Sequence, residues 1–259
     1  MKLRGKSVII TGAGRGLGRA IAHATSREGA KVTLMSRSLN ELEDVAAQIR
    51  DRGGTCFVSR GDVSRQDDVT RTVKRTAERF STVDVLINNA AIIGPVRFWE
   101  DADPKAWDKT MAINLNGAFL CARAVLPFII QNRGGKIINI ASGLGQMPFP
   151  KFCAYSVSKA GIIQLTRSLS EELGSLNIQV NAIDPGMMDT KLQERIRSFG
   201  PAVLGTSVYE NLMEYKNKDR FKDPDEIASL AVILASSEAD RLSGYNGTLS
   251  EYASLGYGR

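Results

Sequence analysis

The sequence predicts an α/β protein in which a mostly parallel sheet is covered by helices on both faces. Three observations carry that expectation. Short apolar runs alternate with longer polar-apolar stretches, the pattern of strands joined by crossover helices. The first apolar run passes directly into a glycine-rich turn and a helical stretch. No repeat, low-complexity tract or interdomain linker breaks the alternation, so residues 1–259 read as one domain.

The elements follow in order. Ser7–Thr11, Lys31–Ser36, Thr55–Arg60, Val83–Asn88, Lys136–Ala141 and Ile178–Ile183 are the strand candidates. Between them, Leu39–Arg50 and Arg65–Phe80 are long enough for crossover helices. Ile162, Leu165, Leu169 and Leu173 recur on one helical face, and Gly174 supplies a stop. Met187–Lys222 falls outside the alternation and is rich in charge and glycine, and a new helix opens at Asp223-Pro224. Connections after the strands of such a sheet build the ligand site, so this excursion reads as a substrate lid. Leu192 and Ile196 share a helical face within it, with breaks at Gly200-Pro201 and Gly205; a permanently packed pair of surface helices is the other reading. A last strand is expected near Thr248–Ser250.

Composition narrows the classes of function. No run of about 18 apolar residues spans a bilayer, and the opening Met-Lys-Leu-Arg-Gly-Lys lacks the apolar core of a signal peptide. A cytoplasmic protein without a membrane segment is expected. Cys56, Cys121 and Cys153 are odd in number and widely spaced, which suits reduced thiols. The single histidine, His23, leaves little room for a zinc site or a Ser-His-Asp triad. The net charge of +6 comes from scattered basic residues without interleaved aromatics, which argues against nucleic acid and for an anionic ligand.

The glycine loop reads Thr11-Gly12-Ala13-Gly14-Arg15-Gly16-Leu17-Gly18. Its Gly-x3-Gly-x-Gly spacing departs from Gly-x-Gly-x2-Gly, but strand, loop and helix come in the right order for a dinucleotide site. Glycines allow a tight turn and close approach to a pyrophosphate, and the helix N-terminus offers free N–H groups. Gly12, Arg15, Gly16, Leu17 and Gly18 are therefore the first cofactor-binding candidates. At the end of the second strand stands Ser36-Arg37-Ser38, with no acid to accept from a ribose 2′-hydroxyl. Ser36, Arg37 and Arg15 suit a 2′-phosphate, so NADP(H) is the expected cofactor.

Tyr155 and Lys159 are four residues apart at the start of a strong helix signal and share a face. A phenol titrates too high for easy proton exchange at neutral pH, and a neighbouring ammonium lowers it. Ser142 follows an apolar run and so lies at a strand's carboxyl end, where a hydroxyl can hold a substrate oxygen.

With these residues together, the chain resembles the short-chain dehydrogenase/reductase superfamily over nearly its full length. The matching motifs are Thr11-Gly12-x3-Gly16-x-Gly18, Asn88-Asn89-Ala90, Asn114, Ser142, Tyr155-x3-Lys159 and Pro185-Gly186. The resemblance implies a single-domain, Rossmann-like, doubly wound parallel sheet of about seven strands with helices on both faces. It implies a catalytic tetrad of Asn114, Ser142, Tyr155 and Lys159. In such a tetrad the tyrosine exchanges the proton, the serine holds the substrate oxygen and the lysine lowers the tyrosine pKa and holds the ribose. The asparagine orders a relay water. The further cofactor contacts it implies are Asp62 and Val63 near adenine, Asn89 and Ala90, Pro185 and Gly186, and Thr190. For Asp62 a helix cap before Arg65 is the alternative. The same likeness suggests a homotetramer acting on a small carbonyl or alcohol substrate, and at motif level it covers ketoacyl reductases and sugar or polyol dehydrogenases alike. Two departures stand out: Ala91 where the motif has glycine, and Gly244-Tyr245-Asn246-Gly247 in place of a Gly-x4-Asp-Gly-Gly ending. The resulting expectation is an NADP(H)-dependent oxidoreductase interconverting a ketone and a secondary alcohol. A non-catalytic NADP(H)-binding regulatory protein on the same fold is the alternative.

Overall fold

In the computed structural model, which describes residues 1–257, the alternation becomes a regular α/β winding. β1 (Ser7–Thr11), α1 (Gly16–Arg27), β2 (Lys31–Ser36), α2 (Leu39–Asp51), β3 (Thr55–Arg60), α3 (Gln66–Phe80) and β4 (Val85–Asn88) form its first part. Next come α4 (Pro104–Met111), a π turn (Ala112–Asn116) and α5 (Gly117–Gln131), which run on as one long helix into β5 (Gly135–Ile140). α6 (Cys153–Leu173) and β6 (Ile178–Asp184) follow. The excursion holds α7 (Lys191–Ser198), α8 (Gly200–Leu204) and α9 (Thr206–Asn217), before α10 (Pro224–Ala235), β7 (Asn246–Thr248) and α11 (Leu249–Ser254).

Seven strands pair in the order β3-β2-β1-β4-β5-β6-β7, every pairing parallel. The winding reverses between β1 and β4, which opens a crevice at their carboxyl ends. Continuous apolar strands are needed because both sheet faces are covered. Successive side chains point to opposite faces: Val8, Ile10, Val85, Ile87, Ile138 and Ile140 pack under α1, α2 and α10, while Ile9, Leu86 and Ile137 pack under α3 and α5. The run Pro104–Gln131 is long and apolar enough to cross a membrane by length and composition alone; here it lies against α3 and α6.

Several boundaries differ from the sequence expectation, each for a local reason. β4 starts at Val85, not Val83, because the Asp84 carboxylate accepts from the Ser7 N–H at 2.9 Å and replaces the ladder there. β5 shifts by a residue, to Gly135–Ile140, and β6 runs one residue further, to Ile178–Asp184. α6 ends at Leu173 with Gly174 as its C-cap, as expected, and a separate 3-10 turn, Gly174–Leu176, follows before Asn177 takes the left-handed conformation at φ 57°. The last strand is Asn246–Thr248 rather than Thr248–Ser250. Thr248 instead caps α11 in a reciprocal box with Glu251. That short helix lets Tyr252, fully buried, donate to the Ala182 carbonyl at 2.8 Å and fasten the tail to β6.

The Met187–Lys222 excursion is helical over most of its length. Its two ends are stapled together, with Lys222 N–H donating to the Met187 carbonyl at 2.9 Å. Gly200 and Gly205, at φ 67° and 88°, make the breaks between its helices.

Candidate active site

The carboxyl ends of β1 to β6 carry most of the residues the sequence singled out, while the π turn carries Asn114 and α6 carries Tyr155 and Lys159. After β1, Gly12 and Gly16 take positive φ, 65° and 53°. A Cβ on Gly12 would stand 2.9 Å from Asn89 Nδ2, and one on Gly18 would run into the Gly12 carbonyl. No side chain caps α1 and no acid sits in its first turn, which leaves its N–H groups and dipole for an anion. The opposite wall is Thr190, whose Cγ2 is 3.5 Å from where a Gly16 Cβ would be. The free backbone N–H groups of this turn suit a pyrophosphate, with Thr190 beside Gly16 and the Glu41 side chain beside Gly14. Leu17 is buried beneath it.

Thr11 Oγ1 accepts from the backbone N–H groups of Asn89 and Ala90, both at 3.0 Å. Asn89 Nδ2 returns to the Thr11 carbonyl at 2.9 Å, so the glycine loop and the end of β4 are one unit. Ala91 is not among the positive-φ residues, so its methyl is accommodated without strain.

At the end of β2 the two cations already have carboxylate neighbours. Arg37 Nη1 is 3.8 Å from Asp62 Oδ2, and Arg15 Nη1 is 3.5 Å from Glu41 Oε1. Asp62 does not cap α3, whose N-cap is Arg65; its Oδ1 accepts from Ser64 N–H at 3.0 Å. Val63 lines a small cavity with Thr11, Ala90, Asn114 and Lys159.

Asn114 sits in the π turn, where the extra residue per turn aims its amide at the β4 loop. It accepts from Ile92 N–H at 2.8 Å and donates to the Ile92 carbonyl at 2.9 Å. Its Nδ2 also donates to Ser158 Oγ at 3.0 Å. Ser142 caps the turn after β5, with its Oγ accepting from Leu144 N–H at 3.3 Å.

Tyr155 and Lys159 are 7% and 3% exposed. Burial pushes the Tyr155 phenol up to about 12, the Ser142 hydroxyl pulls it back, and Asp184 pushes it further up. Burial brings the Lys159 ammonium down to about 8, against the pull of Asp184. Lys159 Nζ donates to the Ile140 carbonyl at 2.5 Å and stands 5.7 Å from the centre of the Tyr155 ring. The lowering of the tyrosine by its lysine, expected from their spacing, is therefore not what this structure holds. Burial is the largest cause, and Lys159 is not among the groups that shift the phenol.

Tyr155 faces an apolar cluster of Ile93, Val96, Phe152, Ile196 and Leu204, the last two from α7 and α8. Of the other apolar candidates, Met188 packs into the core on the opposite side. Trp99 is 66% exposed and stacks edge-on with Trp107. Phe149 meets Phe152 edge-on.

The short chain dehydrogenase family model matches residues 6–200. A 3-oxoacyl-[acyl-carrier-protein] reductase from Synechocystis is 32% identical over 238 residues, 92% of each chain. The enzyme of the same name from Staphylococcus epidermidis is 32% identical over 92% of this chain and 95% of its own. The chain belongs to the short-chain dehydrogenase family. Solved structures agree: levodione reductase superposes with a TM-score of 0.89 at 30% identity, covering 98% of this chain and 100% of its own. NAD+-bound xylitol dehydrogenase gives 0.87 at 29%, covering 96% and 98%. This short-chain dehydrogenase is thus an oxidoreductase of a family that uses nicotinamide cofactors.

Two acids of this dehydrogenase escaped the sequence reading. Glu41, in the first turn of α2, reaches back over Gly14 and joins Arg15 to Lys191 of α7, 3.5 and 3.8 Å away. Asp184 is buried directly before Pro185-Gly186. Its position beside that motif was the signal; its burial was not.

Proposed function

We propose that this protein interconverts a ketone and a secondary alcohol with NADP(H), using Tyr155 as the acid and base. The observation that carries this reading is the meeting of the buried Tyr155 and Lys159 with the half-buried Ser142, beside an apolar cluster. When bound, NADP(H) supplies or accepts the hydride. Gly12, Gly16, Leu17, Gly18, Asn89, Ala90, Pro185, Gly186 and Thr190 would hold it, with Asp62 and Val63 at the adenine end. Ser142 donates to the carbonyl oxygen and Tyr155 passes its proton to that oxygen. A phenol that stays protonated across neutral pH suits donation. Lys159 adds positive charge at the same place, and Asn114 shares a polar cavity with it. Ile93, Val96, Phe152 and Ile196 favour a substrate with an apolar body.

Ser36, Arg37 and Arg15 support NADP(H) over NAD(H). Both arginines are more than half exposed and their carboxylate partners lie at 3.5 and 3.8 Å, pairs weak enough for a phosphate to displace. Arg37→Ala is expected to weaken NADPH roughly ten- to a hundredfold and leave NADH nearly unchanged. Kd values from cofactor fluorescence check it; equal losses for both cofactors, or a wild-type preference for NADH, would overturn the assignment.

Residues 187–222 act in this reading as a lid on one catalytic domain. Ile196 and Leu204 already touch the Tyr155 cluster, and the Met187–Lys222 staple fixes both ends while the helices between them move. Hydrogen exchange across 191–215 should slow when NADPH is added; equal protection in both states would leave a packed helix pair. A cytosolic homotetramer completes the proposal, supported by the exposed apolar side chains of Phe119, Ile130 and Val157 on α5 and α6. Light scattering at the monomer mass of 28.2 kDa would contradict it.

A further inference from the structure

Asp184 is the last residue of β6 and is 7% exposed, a carboxylate with little access to solvent. Its Oδ1 accepts from Gly186 N–H at 3.0 Å, which shapes the turn that leads toward Thr190. Its Oδ2 stands 3.2 Å from where a Cβ on Gly143 would be, directly beside Ser142. β6 pairs with β5 so that Ile183 lies opposite Ile140, the residue whose carbonyl receives Lys159 Nζ. The carboxylate thus lies one residue beyond the strand pair that anchors the lysine. Turn-forming alone would be served by an uncharged residue, since Asn or Ser offers the same acceptor to Gly186. Burying a full charge behind the catalytic groups costs free energy, and that cost needs a return elsewhere.

We propose that Asp184 is a positioning residue of the active site whose buried carboxylate favours the ammonium form of Lys159 and adds to the burial that holds Tyr155 protonated, poising the site for ketone reduction. The proposal rests on the roles given above to Tyr155 and Lys159. Among the described residues the charged groups here are few. Tyr155 and Lys159 come from α6, and Asp184 comes from β6. The polar side chains that share the cavity with Lys159, those of Thr11, Asn88 and Asn114, are uncharged. Beyond Asp184, Lys222 brings its Nζ to 3.4 Å from the position of a Gly186 Cβ and stands near Glu251. Asp184 is the group whose charge acts on both Lys159 and Tyr155, in the same upward direction. In a site this dry, a negative charge favours the protonated form of each neighbour. For lysine that form is the cation; for tyrosine it is the neutral phenol. Both are the forms that proton delivery to a carbonyl oxygen requires.

Asp184→Asn retains the acceptor for Gly186 and removes the charge, and Asp184→Ser does the same with a smaller side chain. The direct readout is the Lys159 Cε chemical shift, titrated in the cofactor-free protein and assigned with Lys159→Arg. Its midpoint should fall by about one pH unit in both neutral variants. The alkaline limb of ketone reduction should move down by the same amount, and the rise of alcohol oxidation should also come at lower pH. Either variant that folds suffices. Superimposable Lys159 titrations in wild type and variant would overturn the proposal, even if kcat fell. Failure of the wild type to reduce any ketone would sink the catalytic reading instead, and leaves the Lys159 titration able to judge the electrostatic one.

Discussion

Tyr155→Phe is expected to lower kcat for ketone reduction roughly a hundred- to ten-thousandfold, the range of a lost general acid, while NADPH binding survives. The variant removes one oxygen and keeps the ring, which packs with Phe152, Ile93 and Ile196. The fold and the apolar substrate surface therefore stay in place. The glycine cradle, Asn89 and Thr190 lie on other elements and lose nothing. Steady-state kinetics with a separate NADPH titration divide the effect: a loss in kcat with an unchanged Kd is the signature of a group acting in the transition state. A near-normal kcat would remove Tyr155 from the mechanism.

Lys159→Ala should damage both quantities, with kcat down by a similar factor and NADPH binding weakened as well. Its ammonium is buried, held by the Ile140 carbonyl and directed toward the place where the tyrosine and ribose meet in the proposed reading. The variant also loses a pH signature. Burial lowers the Lys159 pKa to about 8. The cation is present below that value and is lost as pH rises through it, so wild-type reduction should decline on the alkaline side. In Lys159→Ala no such decline is expected, and the residual rate should be flat across that range. A pH–rate profile at saturating NADPH checks this; an unchanged alkaline limb would assign it to another group.

Much of the fold was legible because parallel strands covered on both faces must be continuous apolar runs, and β1, β2 and β3 match their candidates residue for residue. β4 starts late where a side chain replaces a ladder bond, as Asp84 does for Ser7. Such substitutions leave no periodic trace. The tail was misread because Thr248 can extend a strand or cap a helix, and only the reciprocal bonds with Glu251 decide. At the site, Tyr155 and Lys159 follow from their spacing, Ser142 from its place after an apolar run and Asn114 from the family resemblance, but the π turn that aims Asn114 does not. Nor does the Tyr155 environment: spacing places a lysine near a phenol, while the depth of burial that raises the phenol to about 12 belongs to the packed structure. Glu41 was not legible for a related reason, since it lies past the turn at the end of β2 and folds back over Gly14.

The central claim is tested most directly by following NADPH consumption with a panel of apolar and polar ketones, for the wild type and Tyr155→Phe side by side. The account predicts turnover by the wild type of at least one ketone with an apolar body, faster with NADPH than with NADH, and its near-complete loss in the variant. Wild-type protein that binds NADPH yet turns over no ketone, and no alcohol with NADP+, would contradict it.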